Sequence, residues 1–249
     1  MRAKLFSILA VMALVFTLAT SASATLTVIG QGKIMAAGGN YGGIGQTVDL
    51  VYSSLLDATI LNFSNSPNIW WDQQVDWASK LEVNFDGQTL DNWRLPETWE
   101  DTINLSGGLG YEGDPNGDGY YSYRYGYNMN LSSEMALLYY DELGNKSYYA
   151  TDGTSPQSGW GLSNKGPLTA LVSGAPDYYW SGTEYSPYPD GAWGFGLFAG
   201  YQYSSGKMFN GHALAILPGN AATAPVPGAV WLLGSGLAGL LGLRRKLKS

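Results

Sequence analysis

The chain is 249 residues long, room for one domain with short appendages. It has no cysteine, which excludes disulfides, thiolate metal sites and cysteine nucleophiles. Residues 25–224 hold all 20 Asp and Glu but only seven of the 13 Lys and Arg, a net charge of −13 that repels a phosphate backbone and excludes nucleic acid as a partner. Such acidity serves solubility or cation binding. All 18 Tyr and eight of the nine Trp lie in the same stretch, so aromatic side chains supply the apolar mass of a core built without disulfides.

Residues 1–24 begin with Arg2 and Lys4, continue as an apolar run from Leu5 to Leu18 and end Ala22-Ser23-Ala24. This is the pattern of a secretory signal, with cleavage expected after Ala24. Residues 25–34 (TLTVIGQGKI) alternate apolar and polar and predict a strand, followed by a Gly-rich loop over 36–46 that lacks both phosphate-cradle patterns. Residues 25–47 form an N-terminal strand and Gly-rich segment ahead of a main domain over 48–219. Residues 47–63 predict two short strands with a turn near 53–57. In SPNIWWDQQVDWASKLEV, Trp71, Val75, Ala78 and Leu81 share one helical face, with Asn68 as the expected N-cap. That stripe is read as core packing. Asp86-Gly87 marks a turn, and Pro96 a place where a short acidic helix could start.

Residues 104–130, rich in Gly, Asn and Tyr, predict a long surface loop. Within it, Asp114, Asn116, Asp118 and Gly119 match positions 1, 3, 5 and 6 of a calcium loop, but Tyr125 stands where the bidentate Glu belongs. The segment is either an Asx/Gly turn or a Ca²⁺ half-site that Glu112 or a distant carboxylate would complete. A second helix is expected over SSEMALLYYDELGN, capped by Ser132 or Ser133, with Met135, Leu138 and Tyr139 on one face and Gly144 as its stop. After a further loop, DYYWSGTEY, GAWGFGLFAGY and HALAIL read as strands, with SPYPDG and SSGK as turns. His212 is the only histidine and alternates with Leu214 and Ile216. It is read as structural. No G-x-S-x-G elbow marks a nucleophile, and no carboxylate pair stands out by spacing, so the chain is read as non-enzymatic.

Four segments, NWRLPET (92–98), YYWSGTEY (178–185), AWGFGLFAGYQYSSGK (192–207) and ALAILPG (213–219), resemble the Lcl C-terminal domain family, formerly a domain of unknown function. The resemblance covers roughly residues 48–219 and implies an α+β fold: a C-type-lectin-like mixed domain with two helices, small antiparallel sheets and long loops. The lectins' calcium and sugar signatures E-P-N and W-N-D are absent, and ALAIL lacks both arginines of the family's V-R-A-V-R. The family's enzymatic relatives use cysteines, which this chain lacks. Trp93, Arg94, Leu95, Pro96, Trp180 and Glu184 are expected to form an internal network, with Arg94 as a fork donor to an acid such as Glu184 between tryptophan walls. The alternative is a ligand site.

Residues 220–249 combine Pro225, Val226, Pro227 and Gly228, an apolar segment over 228–243, and Arg244, Arg245, Lys246 and Lys248. This order resembles a PEP-CTERM sorting signal of the VPLPA-like variant. Sixteen helical residues span about 24 Å, short of a hydrocarbon core of roughly 30 Å. Four cations without acids place the C-terminus in the cytoplasm. The resemblance implies cleavage by an exosortase-type membrane protease; a plain membrane anchor is the simpler alternative. The expectation is an exported surface or exopolysaccharide-matrix component, first anchored in the inner membrane. The alternatives are a glycan-binding or Ca²⁺-dependent adhesin using residues 111–127, and an enzyme of unknown type.

Overall fold

The computed structural model describes residues 25–66, 68–103, 123–174 and 178–223. These form a mixed α+β body with two sheets, mostly antiparallel, and two helices. The larger sheet contains β1 (Leu26–Ala36), β2 (Thr47–Ser53), β3 (Ala58–Leu61), β4 (Glu82–Phe85), β5 (Gln88–Leu90) and β10 (Ile216–Pro218), in the order β10-β3-β2-β1-β4-β5. The strand expected over 25–34 is β1, which starts one residue later and ends two residues later. The two strands expected over 47–63 are β2 and β3, and Tyr52 donates a hydrogen bond to Asp57 across their turn at 2.8 Å. Asp86 and Gly87 join β4 to β5 with φ of +51° and +80°, the pair of positive angles that a two-residue hairpin turn of this hand requires.

Helix α1 (Trp71–Ser79) presents Trp71, Trp77 and Ala78 to the core, with Leu81 buried just beyond its end. Asn68 is not its cap. Trp70 occupies the N-cap position, and Gln73 three residues on reaches back to accept from the Trp70 backbone N–H at 3.0 Å. No helix starts at Pro96. Residues 94–98 stay extended because Arg94 exchanges two backbone hydrogen bonds with Ile216 (2.9 and 2.8 Å) and Gly182 donates to Pro96 at 2.8 Å. The helical turn comes later, at Glu100–Thr102. Helix α2 (Glu134–Leu137) runs on into a wider π turn over Leu138–Glu142. Ser133 caps it by accepting from Ala136 N–H at 3.0 Å, Gly144 follows with φ +65°, and the expected face of Met135, Leu138 and Tyr139 is buried.

The smaller sheet is ordered β6-β9-β8-β7, from β6 (Tyr123–Tyr127), β7 (Tyr178–Glu184), β8 (Gly191–Gly196) and β9 (Tyr201–Gly206). Residues 123–127 are therefore strand rather than surface loop; β6 adds to the free edge of β9, with a register shift between Arg124 and Gly126. SSGK is not a turn either, since Ser204, Ser205 and Gly206 complete β9 and pair with β8. The glycines of β8 have a packing reason. A Cβ on Gly194 would stand 2.2 Å from Cε1 of Tyr203, so the absent side chain is the space the tyrosine ring fills.

Among the described residues two large clusters and a small one of Ile103, Tyr185 and Trp193 make the core. Leu50 on β2 joins Ile34, Leu61, Trp77, Trp93 and Trp180; its neighbour Val51 points the other way, to Ile60, Met135, Tyr139, Phe195 and Ile216. The centre of the larger sheet is thus covered on both faces. Among the described residues no helix is long and apolar enough to cross a membrane; residues 228–243 lie outside them.

Candidate functional site

The segments NWRLPET, YYWSGTEY and ALAILPG meet in space. Besides the Arg94–Ile216 and Gly182–Pro96 pairs, Ser181 Oγ donates to the Pro96 carbonyl at 2.9 Å, and Trp180 N–H donates to the His212 carbonyl at 2.9 Å. Arg94 does act as a fork donor, but its partner is Glu134, not Glu184. Nη1 reaches Oε2 at 2.7 Å and Nη2 reaches Oε1 at 2.9 Å, while Glu134 Oε2 also accepts from Glu97 N–H at 2.6 Å. The Glu134 bonds hold the Arg94 guanidinium above its usual range, against the opposing effect of burial. Glu184 lies at the far end of β7 and bonds Lys207 Nζ at 2.6 Å. Trp93 and Trp180 belong to the core cluster with Leu95, and Trp93 Nε1–H donates to the Leu90 carbonyl at 3.1 Å.

His212 is 9 % exposed and stacks on Tyr179 at 5.2 Å. Its Nδ1 sits 3.2 Å from the Asn65 carbonyl and 3.3 Å from Ser64 Oγ, which in turn lies 2.7 Å from the Tyr179 hydroxyl. Burial pushes the Tyr179 hydroxyl upward. The backbone carbonyl of Asn65, the Ser64 hydroxyl and the Tyr179 ring thus surround one side of the imidazole.

A cleft of about 550 Å³ opens where three segments converge. The start of α1 contributes Trp70 and Asp72; the β7–β8 connection contributes Tyr185, Tyr188 and Asp190; the end of β9 contributes Ser204, Ser205 and Lys207. Backbone bonds pin these pieces together: Trp71 N–H to the Lys207 carbonyl at 3.0 Å, and Lys207 N–H to the Asp190 carbonyl at 2.8 Å. Tyr185 packs edge-on against Trp193 at 5.0 Å, and Trp193 Nε1–H is bonded to Glu100 Oε1 at 2.6 Å. Trp70 is 54 % exposed and Tyr188 39 %, an unusual presentation for large aromatics that could be buried. Lys207 is held twice, by Glu184 and over the Trp71 ring at 4.6 Å. The cleft therefore combines exposed aromatic faces with two carboxylates and a cation whose charge is already answered.

No family model matches the sequence, and no curated protein or solved structure matches the chain.

Asp114, Asn116, Asp118 and the Tyr-rich segment 111–122 lie outside the described residues, as do Pro225, Val226, Pro227, Gly228, Arg244, Arg245, Lys246 and Lys248. Among the described residues no group of three or more His, Asp or Glu is placed to hold a metal ion. Of the motif residues named from the sequence, Trp93, Arg94, Leu95, Pro96 and Trp180 share one region, and Glu184 is tied to the cleft through its bond to Lys207. The cleft itself has a weak trace in the sequence. Trp70 stands next to Trp71, so one of two adjacent large aromatics must leave the buried helix face, and SPYPDG carries an aromatic between its turn residues.

Proposed function

We propose that the chain is an exported, non-catalytic envelope protein. Residues 1–24 act as the secretory signal, and residues 220–249 act as a PEP-CTERM-like sorting tag with a span over 228–243. An exosortase-type membrane protease is the processing partner, acting near Pro225–Gly228. The protein is first tethered with its C-terminus in the cytoplasm, and the body is then passed to the cell surface or an exopolysaccharide matrix. One observation carries this reading: all 20 acids lie within residues 25–224, while four cations and no acid follow the apolar run. The body is proposed as Lcl C-terminal-like, of C-type-lectin-like architecture. The joining of the W-R-L-P, Y-W-S-G-T-E and A-L-A-I-L segments supports it, since motifs of one domain family belong to one packing unit.

The test is deletion of residues 225–249 followed by cell fractionation and mass measurement of the exported chain. The proposal expects loss of surface delivery and of a processing step. An unchanged location and an unchanged processed mass would overturn it.

A further inference from the structure

We propose that the cleft between Trp70 and Tyr188 binds a cationic glycan, a polysaccharide carrying free amino groups. This deepens the matrix assignment above and rests on it for the source of the ligand, though not for the chemistry. Three features of the cleft select that class. The first is shape: about 550 Å³ is a volume suited to a few sugar rings rather than to a single small ion. The second is the exposure of Trp70 and Tyr188, whose flat faces match the apolar C–H face of a pyranose and keep a polar tip in water. The third is charge. Lys207 is neutralised by Glu184 at 2.6 Å, whereas Asp72 and Asp190 are exposed and, among the described residues, not ion-paired. Two uncommitted carboxylates beside aromatic faces attract an ammonium group by both charge and ring quadrupole.

The remaining lining fits hydroxyl-bearing rings. Ser204 and Ser205 place small polar residues of β9 along the cleft, which leaves room for a hydroxyl-bearing ring. The walls are fixed in advance by the Trp71–Lys207–Asp190 backbone bonds, so little ordering is needed on binding. The net charge of −13 over residues 25–224 repels uronate-rich or sulfated polymers, which removes the acidic glycans from the ligand set.

The experiment is a fluorescence and calorimetric titration of the full chain in detergent. The ligands are glucosamine hexamer, its fully N-acetylated counterpart, a galacturonate oligomer and a lysine hexamer. The expected result is saturable binding of the glucosamine hexamer, weakened about tenfold or more by Trp70→Ala and by Asp190→Asn. Binding should fall as salt is raised. Both substitutions are at exposed positions, and far-UV circular dichroism with an unchanged unfolding midpoint establishes that each variant is folded. Equal binding of the acetylated form removes the charge argument and overturns the proposal. So does a lysine hexamer that binds as tightly, which would make the cleft a peptide site, and so does no binding at all. The titration uses purified protein, so its failure leaves the export proposal standing, and failure of export leaves the titration standing.

Discussion

Arg94 and Glu134 are joined by two parallel hydrogen bonds of 2.7 and 2.9 Å across 40 residues of sequence. The Glu134 side chain is 9 % exposed and that of Arg94 34 %, so the pair sits at the edge of the core with its carboxylate inside. Glu97 also faces Arg94, but at 3.7 Å and 54 % exposed. Magnitudes separate the two acids. Glu134→Gln removes the charge that answers a half-buried guanidinium, and its cost is about 2–3 kcal/mol after solvent screening. Glu97→Gln breaks a surface contact and stays within about 0.5 kcal/mol. Chemical denaturation of the three proteins checks the ordering. Equal costs for the two substitutions would mean the fork is not what ties the W-R-L-P segment to α2.

Gly194 supplies a sharper test of packing. Alanine there puts Cβ 2.2 Å from the Tyr203 ring, inside a strand whose six residues are all buried. The ring has Tyr178 at 4.7 Å and Trp180 at 6.0 Å on its other sides, so it has little room to withdraw. Gly194→Ala should cost about 1–3 kcal/mol as an overpacked site. Gly87→Ala lies in open space, and its cost comes only from φ +80°. Combining Gly194→Ala with Tyr203→Phe should rescue stability only in part, because it removes the hydroxyl oxygen at 2.3 Å but leaves the ring carbons at 2.2 and 2.4 Å. Thermal unfolding of the single and double variants reads this directly.

Local signals in the chain were readable where the physics is local. Trp71, Ala78 and Leu81 announced the buried face of α1, Asp86-Gly87 its hairpin, and Ser133 and Gly144 the two ends of the second helix. The misplaced features depend on distant chain. Pro96 is a fair helix start until Ile216 and Gly182 hold it extended. Asn68 loses its capping role because Gln73 completes the helix start from inside. YRYGY has no apolar alternation, and only the free edge of β9 makes it a strand. Glu184 and Glu134 are equivalent acids in one dimension; their exchange of roles follows from β7 carrying Glu184 out to Lys207. The cleft was the least legible part, since residues near 70, 188 and 206 share it and no spacing rule links them.

Two carboxylates should move stability with pH in opposite directions. For Glu100, burial raises the carboxyl, but hydrogen bonds from Ser186 and Trp193 outweigh it and the net shift is downward. A depressed carboxylate contributes stability above its unfolded value and loses it as pH falls through the folded one. For Glu142, burial dominates and raises the carboxyl despite the hydrogen bond from Ser53 at 2.8 Å. Its contribution is present in acid and lost as pH rises through its raised value. Unfolding measured from about pH 3 to about pH 7 should therefore show Glu100→Gln losing less stability in acid than the parent. Glu142→Gln should gain on the parent towards neutral pH. Parallel pH profiles for both variants and the parent would show that neither group titrates differently on folding.

The proposed tail makes a prediction of its own, because its span is barely long enough. Sixteen residues at 1.5 Å each give about 24 Å against roughly 30 Å of hydrocarbon, so the segment depends on its flanks to stay across the bilayer. Lys246 and Lys248 can extend to the headgroups, and Arg244 and Arg245 fix the direction. Replacing these four residues with Gln removes both effects while leaving the apolar run and Pro225–Gly228 untouched. On the proposed topology the variant loses its tether before the protease acts, and an exported chain with the tail still attached should accumulate outside the inner membrane. Lengthening residues 228–243 by four leucines in the same variant should restore retention, because added apolar length substitutes for the lost charge anchors. Mass spectrometry of the exported and membrane fractions distinguishes these outcomes. Normal processing of the four-Gln chain would show that its cations take no part in sorting.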